Sequence, residues 1–245
     1  MPKLLNQPDT IVQQTISNFG FSAKRPEDLT GSEYTIVDIK IDASSSVQGF
    51  EDDLEKAVKT AVEALQKSPN VDRILLRVST FASDIVEIHG YIPLADVDIA
   101  NYKIHTGGCT VLYDMGLESI ESIGQYATQL DNMEYRVNAL AIWITDGDNQ
   151  GSRTGTPAKI KSAITAVKVS EKLESLKTIL IGVGDNARVQ TYLDNFKNEA
   201  ALDQFVWIGD ATPNSLAKMG GFISRSVSSS SQALGTGGLS KNLSF

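Results

Sequence analysis

The stretch Tyr34-Thr35-Ile36-Val37-Asp38-Ile39-Lys40-Ile41-Asp42-Ala43-Ser44-Ser45-Ser46 decides how the rest of the chain is read. Tyr34 to Asp42 is rich in β-branched and apolar residues and reads as a strand. It ends on an acid and runs into small hydroxyl residues where the chain must leave the sheet. Central parallel strands are normally apolar on both faces, so Asp38 and Lys40 stand out. Side chains alternate along a strand, which puts both on one face. Either Asp38 pairs with Arg77 on a neighbouring strand, or helices cover that face incompletely.

Working outward, β-rich runs alternate with helical patterns. Phe50, Leu54, Ala57, Val58, Ala61 and Leu65 recur at helical spacing, with acids in the first turn where the helix dipole favours them. Strands are expected at Arg73 to Phe81, Ile85 to His89, Asn138 to Thr145, Lys177 to Val183 and Phe205 to Ile208. Helices are expected at Leu112 to Leu130, at Pro157 to Leu173 with proline in its first turn, at Arg188 to Phe196 and at Asn214 to about Ser226. Such alternation gives an α/β, doubly wound (Rossmann-like) fold with a mostly parallel sheet and helices on both faces. Residues 1–31, with a weak helical pattern from Thr10 to Phe19, read as an N-terminal arm. A single domain is expected over 32–227, and 228–245 reads as a flexible Ser/Gly-rich tail.

The 245 residues carry 22 Lys plus Arg against 30 Asp plus Glu, a net charge of −8. Duplex nucleic acid is an improbable ligand for so acidic a chain, because that affinity rests on clustered Lys and Arg. Cys109 is the single cysteine and cannot form an internal disulfide. His89 and His105 have no companion at zinc-site spacing. Met1 to Asn6 lacks the apolar core of a secretory signal and no run approaches a membrane span, so a cytoplasmic protein without a membrane partner is expected.

Ligands of an open α/β sheet bind at the carboxyl ends of the strands. Three segments there share a chemistry: Asp42-Ala43-Ser44-Ser45-Ser46, Thr106-Gly107-Gly108-Cys109-Thr110-Val111-Leu112-Tyr113-Asp114, and Ile144-Thr145-Asp146-Gly147-Asp148. Two carboxylates and three hydroxyls brought to one edge make an oxygen-only pocket of the kind Mg²⁺ and Mn²⁺ prefer. A cation held largely by neutral oxygens keeps positive charge and seeks an anionic ligand from outside, such as a partner's Asp or Glu.

These segments resemble the von Willebrand factor A domain and its metal-ion-dependent adhesion site: Asp-x-Ser-x-Ser, a Thr in a Gly-rich loop, and an Asp in a Thr-Asp-Gly-like turn. The resemblance covers Tyr34 to Val227 and places metal ligands at Asp42, Ser44, Ser46, Thr110 and Asp146. It implies a six-stranded sheet with one short antiparallel edge strand. It also implies Mg²⁺, or Mn²⁺ or Ca²⁺, as the cofactor, a protein partner supplying Asp or Glu, and a last helix (214–226) that shifts on binding. Gly107 to Asp114 and Ile181-Gly182-Val183-Gly184-Asp185 look most like the bacterial intracellular branch found near tellurite-resistance and phosphorylation-signalling genes. Ser45 departs from the pattern, standing where Gly is common.

Competing chemistries are incomplete. A Mg²⁺-dependent phosphohydrolase on the same pocket is the main alternative, but an aspartyl-phosphate phosphatase needs a second acid where this chain has Ser44. No Gly-x-Ser-x-Gly supports a serine hydrolase. Gly182-x-Gly184-x-x-Ala187, with Asp210 after the next strand, mimics a dinucleotide fingerprint yet follows the fifth expected strand, not the first. Cys109 lacks an activating neighbour in sequence. Asp148 fits the pocket rim or a solvated turn. A binding module, not an enzyme, is expected; a scaffold with a vestigial metal site is the remaining option.

Overall fold

The structure, a computed structural model, describes residues 11–16, 19–236 and 242–245. Its strands are β1 (Ile11–Ile16), β2 (Phe19–Lys24), β3 (Glu33–Asp42), β4 (Ile74–Phe81), β5 (Ile85–Pro93), β6 (Arg136–Thr145), β7 (Leu176–Val183) and β8 (Gln204–Ile208). The helices are α1 (Glu51–Gln66), α2 (Leu112–Asp131), α3 (Pro157–Val169), α4 (Ala187–Glu199) and α5 (Pro213–Thr236). One sheet runs in the order β1-β2-β5-β4-β3-β6-β7-β8. The core is parallel: β3 lies between β4 and β6, and β7 between β6 and β8. The α/β, doubly wound, mostly parallel architecture is therefore as expected.

Its edges are not. Among the described residues the sheet has eight strands, not six. The two extra strands come from the segment whose first part suggested a helix: β1 and β2 form an antiparallel hairpin, and β2 runs parallel to β5. Ile11, Val12, Thr15 and Ile16 are β-branched and settle the local choice that apolar spacing left ambiguous. The antiparallel strand β5 is thereby an interior strand, between β2 and β4, and not the edge. Residues 1–10, the start of the expected arm, lie outside the described residues.

Alternation along β3 sends its residues to two different interiors. Val37, Ile39 and Ile41 pack with Leu54, Val58 and Leu65 of α1 and with Met219, Phe222 and Ile223 of α5. Ile36 faces the other way, into a cluster with Met115, Ile120 and Ile123 of α2. Asp38 and Lys40 share that second side and are wholly buried. Asp38 and Arg77 are register partners on β3 and β4, and Arg77 Nη1 lies 3.8 Å from Asp38 Oδ1. Lys40 Nζ is nearer to Asp38 Oδ1, at 3.4 Å, and the shortest ion pairs involve other acids. Lys40 Nζ is 2.6 Å from Glu118 Oε2, Arg77 Nη2 is 2.7 Å from Glu118 Oε1, and Arg77 Nε is 2.5 Å from Glu87 Oε1. Burial pushes the Asp38 carboxyl above its ordinary range, with Lys40 and Arg77 opposing. Glu118 is also buried, but Arg77 and Lys40 prevail and hold it below. Glu87 continues the network to β2, accepting from Ser22 Oγ at 2.7 Å and from Ser22 N at 3.2 Å.

The last helix is longer than expected. It runs on from Ser226 to Thr236, so residues 228–236 are helical, not a loose tail. Ser226, Ser230, Ser231 and Leu234 are buried, and Asn138 Nδ2 donates to the Ser230 carbonyl at 2.7 Å. The serine-rich composition suggested a loop, yet small side chains let this helix lie close on the sheet. Farther on, the Leu243 carbonyl accepts from Gln204 Nε2 at 2.8 Å, and the Phe245 ring meets Phe222 edge-on at 5.9 Å.

Candidate metal centre

Two chain reversals and a helix entry meet at the carboxyl end of β3. After Asp42 the chain makes a short 3₁₀ turn at Ser45–Val47, and Ser44 sits at its cap. The Gly107–Gly108 loop is bound to this turn by Gly107 N donating to Ala43 O at 2.8 Å and Ser45 N donating to Gly108 O at 3.2 Å. Gly108 has φ +81, and a Cβ there would sit 2.4 Å from Ser83 Oγ, so only glycine fits without displacement. Ser83 Oγ in turn accepts from Cys109 N at 3.1 Å. The neighbouring residue, Thr110, is buried and opens the way into α2. The Thr110 carbonyl is held by Gln150 N at 2.9 Å and Gly151 N at 3.2 Å, which ties the second segment to the loop after β6.

All five expected ligand residues are brought to this junction. Asp42 is 1% exposed and fixed at both oxygens: Oδ1 accepts from Ser44 N at 2.8 Å, and Oδ2 from Thr145 Oγ1 at 2.6 Å. Ser44 Oγ lies 3.1 Å from Ser46 Oγ, and Ser46 Oγ donates to Asp146 Oδ1 at 2.8 Å. Gly147 adjoins the fifth residue. A Cβ on it would meet Thr110 Oγ1 at 3.7 Å and Ser46 Oγ at 3.9 Å, so these two hydroxyls approach the same point.

The spacing suits a small hard cation. Adjacent ligands of an octahedral ion with bonds of about 2.1 Å lie about 3.0 Å apart. The Ser44–Ser46 and Ser46–Asp146 separations of 3.1 Å and 2.8 Å match such edges. The electrostatics agree. Burial pushes Asp42 up to about 6, against the hydrogen bonds from Thr145 and Ser44 and with Asp146 adding repulsion. Burial also raises Asp146, opposed by Ser46. Two desolvated carboxylates and neutral hydroxyls form a pocket whose ionised state calls for positive charge. Among the described residues no group of three or more His, Cys, Asp or Glu side chains gathers as a conventional metal cluster. The oxygens gathered at this junction come instead from hydroxyls and two carboxylates.

Other marked residues have different roles. Ser45, at a frequent glycine position, is not among the non-glycine residues with positive φ, so the loop accommodates a side chain there. Asp148 pairs with Arg188 Nη2 at 2.9 Å. His89 is bonded to Tyr102 OH at 2.8 Å and to Gly90 O at 2.9 Å within the sheet. Cys109 is a free, exposed thiol. Gly182 is explained by packing: a Cβ would strike Trp207 at 2.6 Å. Gly184, with φ +126, turns the chain after β7. Thr145, Ser83 and Asp114 were not singled out in sequence, although each supports the site. Asp114 accepts from Arg153 N and Thr154 N, both at 2.8 Å, and thereby shapes the loop after β6. Thr145 had the clearest signal, as the residue before Asp146.

No family model matches the sequence, and no curated protein matches it. Solved structures do. PilB, a minor pilin from Streptococcus sanguinis, superposes with a TM-score of 0.56 at 14% identity over 87% of this chain and 65% of its own. The pilus adhesin SpaC from Lactobacillus rhamnosus GG gives 0.54 at 10% identity over 86% and 32%. Proximal thread matrix protein 1 from the mussel byssus, with a zinc-occupied MIDAS motif, gives 0.50 at 19% identity over 79% and 46%. The chain thus spans less than two thirds of each of these proteins. The fold is von Willebrand factor A-like. Among the described residues, no helix is long and apolar enough to cross a membrane.

Proposed function

We propose that this chain is a metal-dependent protein-interaction module, in which a divalent cation, Mg²⁺ first, is held by Ser44, Ser46, Thr110, Asp42 and Asp146 and bridges to an Asp or Glu of a cytoplasmic partner. The observation that carries this is the run of oxygens Ser44, Ser46 and Asp146 at octahedral-edge spacing, beside a doubly fixed Asp42. When bound, the cation supplies a positive charge that a partner carboxylate neutralises. The chain's own residues prepare the place for it. Thr145 and the Ser44 amide orient Asp42, and Ser46 orients Asp146. The Gly107–Gly108 loop holds Thr110 against Gly147. The mussel protein's zinc-occupied motif supports metal binding on this fold. With Ser44 where an aspartyl-phosphate enzyme carries an acid, binding is favoured over hydrolysis.

The test is thermal unfolding in Mg²⁺ and in EDTA. A ligand that binds only the native state at a hundred times its Kd stabilises by about 2.7 kcal/mol. For a chain of this size that is a rise of about 5–10 °C in Tm. The rise is expected to vanish in Asp42→Ala and Thr110→Ala, and capture of an acidic partner with it. Partner capture that persists in EDTA and in both variants would exclude the metal bridge.

A further inference from the structure

The two edges of the sheet are treated differently. At one, β8 spans only Gln204–Ile208, and the C-terminal residues reach it through Gln204 Nε2 to the Leu243 carbonyl and Asn242 Nδ2 to the Asp203 carbonyl. At the other, β1 is the outermost strand, and among the described residues no strand lies beyond it. An edge strand presents a row of unpaired N–H and C=O groups, which folded proteins commonly shield with charge, proline, a bulge or a covering element. The sequence of β1, Ile-Val-Gln-Gln-Thr-Ile, has neither charge nor proline, and its pairing with β2 is continuous from Ile11↔Lys24 to Ile16↔Phe19 without a bulge.

The chemistry of this edge selects its partner. The chain carries a net charge of −8, so two copies repel overall, and β1 adds no charge to that repulsion. Its centre is Gln13-Gln14, and a primary amide both donates and accepts, so it complements another copy of itself. Gln14 is already held by Gln129 Nε2 and Gln125 Nε2 of α2, which fixes the face it occupies, whereas Gln13 is exposed. A two-fold axis perpendicular to the sheet keeps like faces together; centred on Gln13 it sets that residue opposite its copy, and centred on Val12 or Gln14 it sets the two diagonal.

We infer that β1 is a homodimer interface: two copies join through antiparallel β1–β1 pairing into one continuous sheet across a two-fold axis. The interface lies at the opposite edge of the sheet from β8 and does not depend on the metal site.

The experiment uses the full chain in sedimentation equilibrium, with Gln13→Glu and Gln13→Lys prepared separately and mixed. Like charges facing across strands are destabilising, so each variant alone is expected to self-associate roughly fivefold or more weakly than wild type. The equimolar mixture is expected to recover the dimer, because opposite charges then meet. Circular dichroism verifies that the variants fold, which the exposed position of Gln13 should permit. In parallel, amides of residues 11–16 are expected to gain exchange protection with rising concentration of the wild-type chain. A wild-type monomer at high micromolar concentration would overturn the inference. So would a dimer indifferent to both charges, or a mixture that fails to recover it.

Discussion

Thr145 Oγ1 donates to Asp42 Oδ2 at 2.6 Å, so the residue beside one expected metal ligand fixes another ligand on the neighbouring strand. The bond satisfies a carboxylate that burial has pushed up to about 6. Thr145→Val keeps the shape and removes the donor. Losing a hydrogen bond to a charged group should cost about 1.5–3 kcal/mol of stability in EDTA. Supporting bonds of this kind typically change metal affinity 10–100-fold, so Mg²⁺ titrations followed by Tm should show that weakening in the variant. Unchanged affinity would mean that Thr145 does not orient Asp42 for a cation.

Gly108 combines a positive φ with a Cβ direction blocked by Ser83. Gly108→Ala is therefore expected to destabilise the fold by about 1–3 kcal/mol. It should also shift Thr110 and reduce the Mg²⁺-dependent rise in Tm. Gly49, with φ +109 but open space around it, is the control: Gly49→Ala should show backbone strain without loss of the metal response.

The buried network makes a separable prediction. Removing one member of a buried ion pair leaves an uncompensated charge and typically costs about 3–5 kcal/mol. Lys40→Met and Glu118→Leu should each approach that loss in chemical denaturation. The double variant should lose clearly less than the two singles summed, since neither charge is then left facing an apolar wall. Strict additivity would show that the 2.6 Å contact carries no coupling.

His89 gives a pH dependence of known sign. Burial lowers its pKa to about 4, against the hydrogen bond to Gly90. The unfolded chain takes up this proton near pH 6.5 and the folded chain does not, so stability present above about pH 6.5 is lost as pH falls toward 4. The shift corresponds to at most about 3.4 kcal/mol. Asp42, with a raised pKa, moves in the opposite direction over part of this window. The difference between wild type and His89→Gln isolates the histidine, because Asp42 is common to both. Parallel stability curves for the two proteins would contradict the assignment.

The centre of the molecule was legible because its strands are apolar and its expected ligands follow a spaced pattern. Strand ends alone were enough to bring Asp42, Ser44, Ser46, Thr110 and Asp146 to one junction. The edges were harder to read. Ile11 to Ile16 has apolar residues at spacings that suit either period, and what makes it a strand is its pairing with β2 and, beyond it, β5. The serines of α5 were misleading for a related reason. Their composition resembles a linker, while their position against Asn138 and the sheet is a tertiary fact. Asp38 and Lys40 announced a buried charge problem, and Arg77 was foreseeable as a neighbour. Glu118 and Glu87 were not, since nothing in the sequence shows which turn of α2 or which residue of β5 meets them.

Ser22 gives the buried charges a bearing on where the chain can be cut. It holds both oxygens of Glu87, and Glu87 in turn holds Arg77, all away from water. A protein shortened to begin at Ser32, just ahead of the adhesion-site resemblance, would keep every candidate ligand and yet open that carboxylate to solvent on one side. A cut in the chain is thus constrained by an electrostatic clasp as well as by the span of the recognisable motifs.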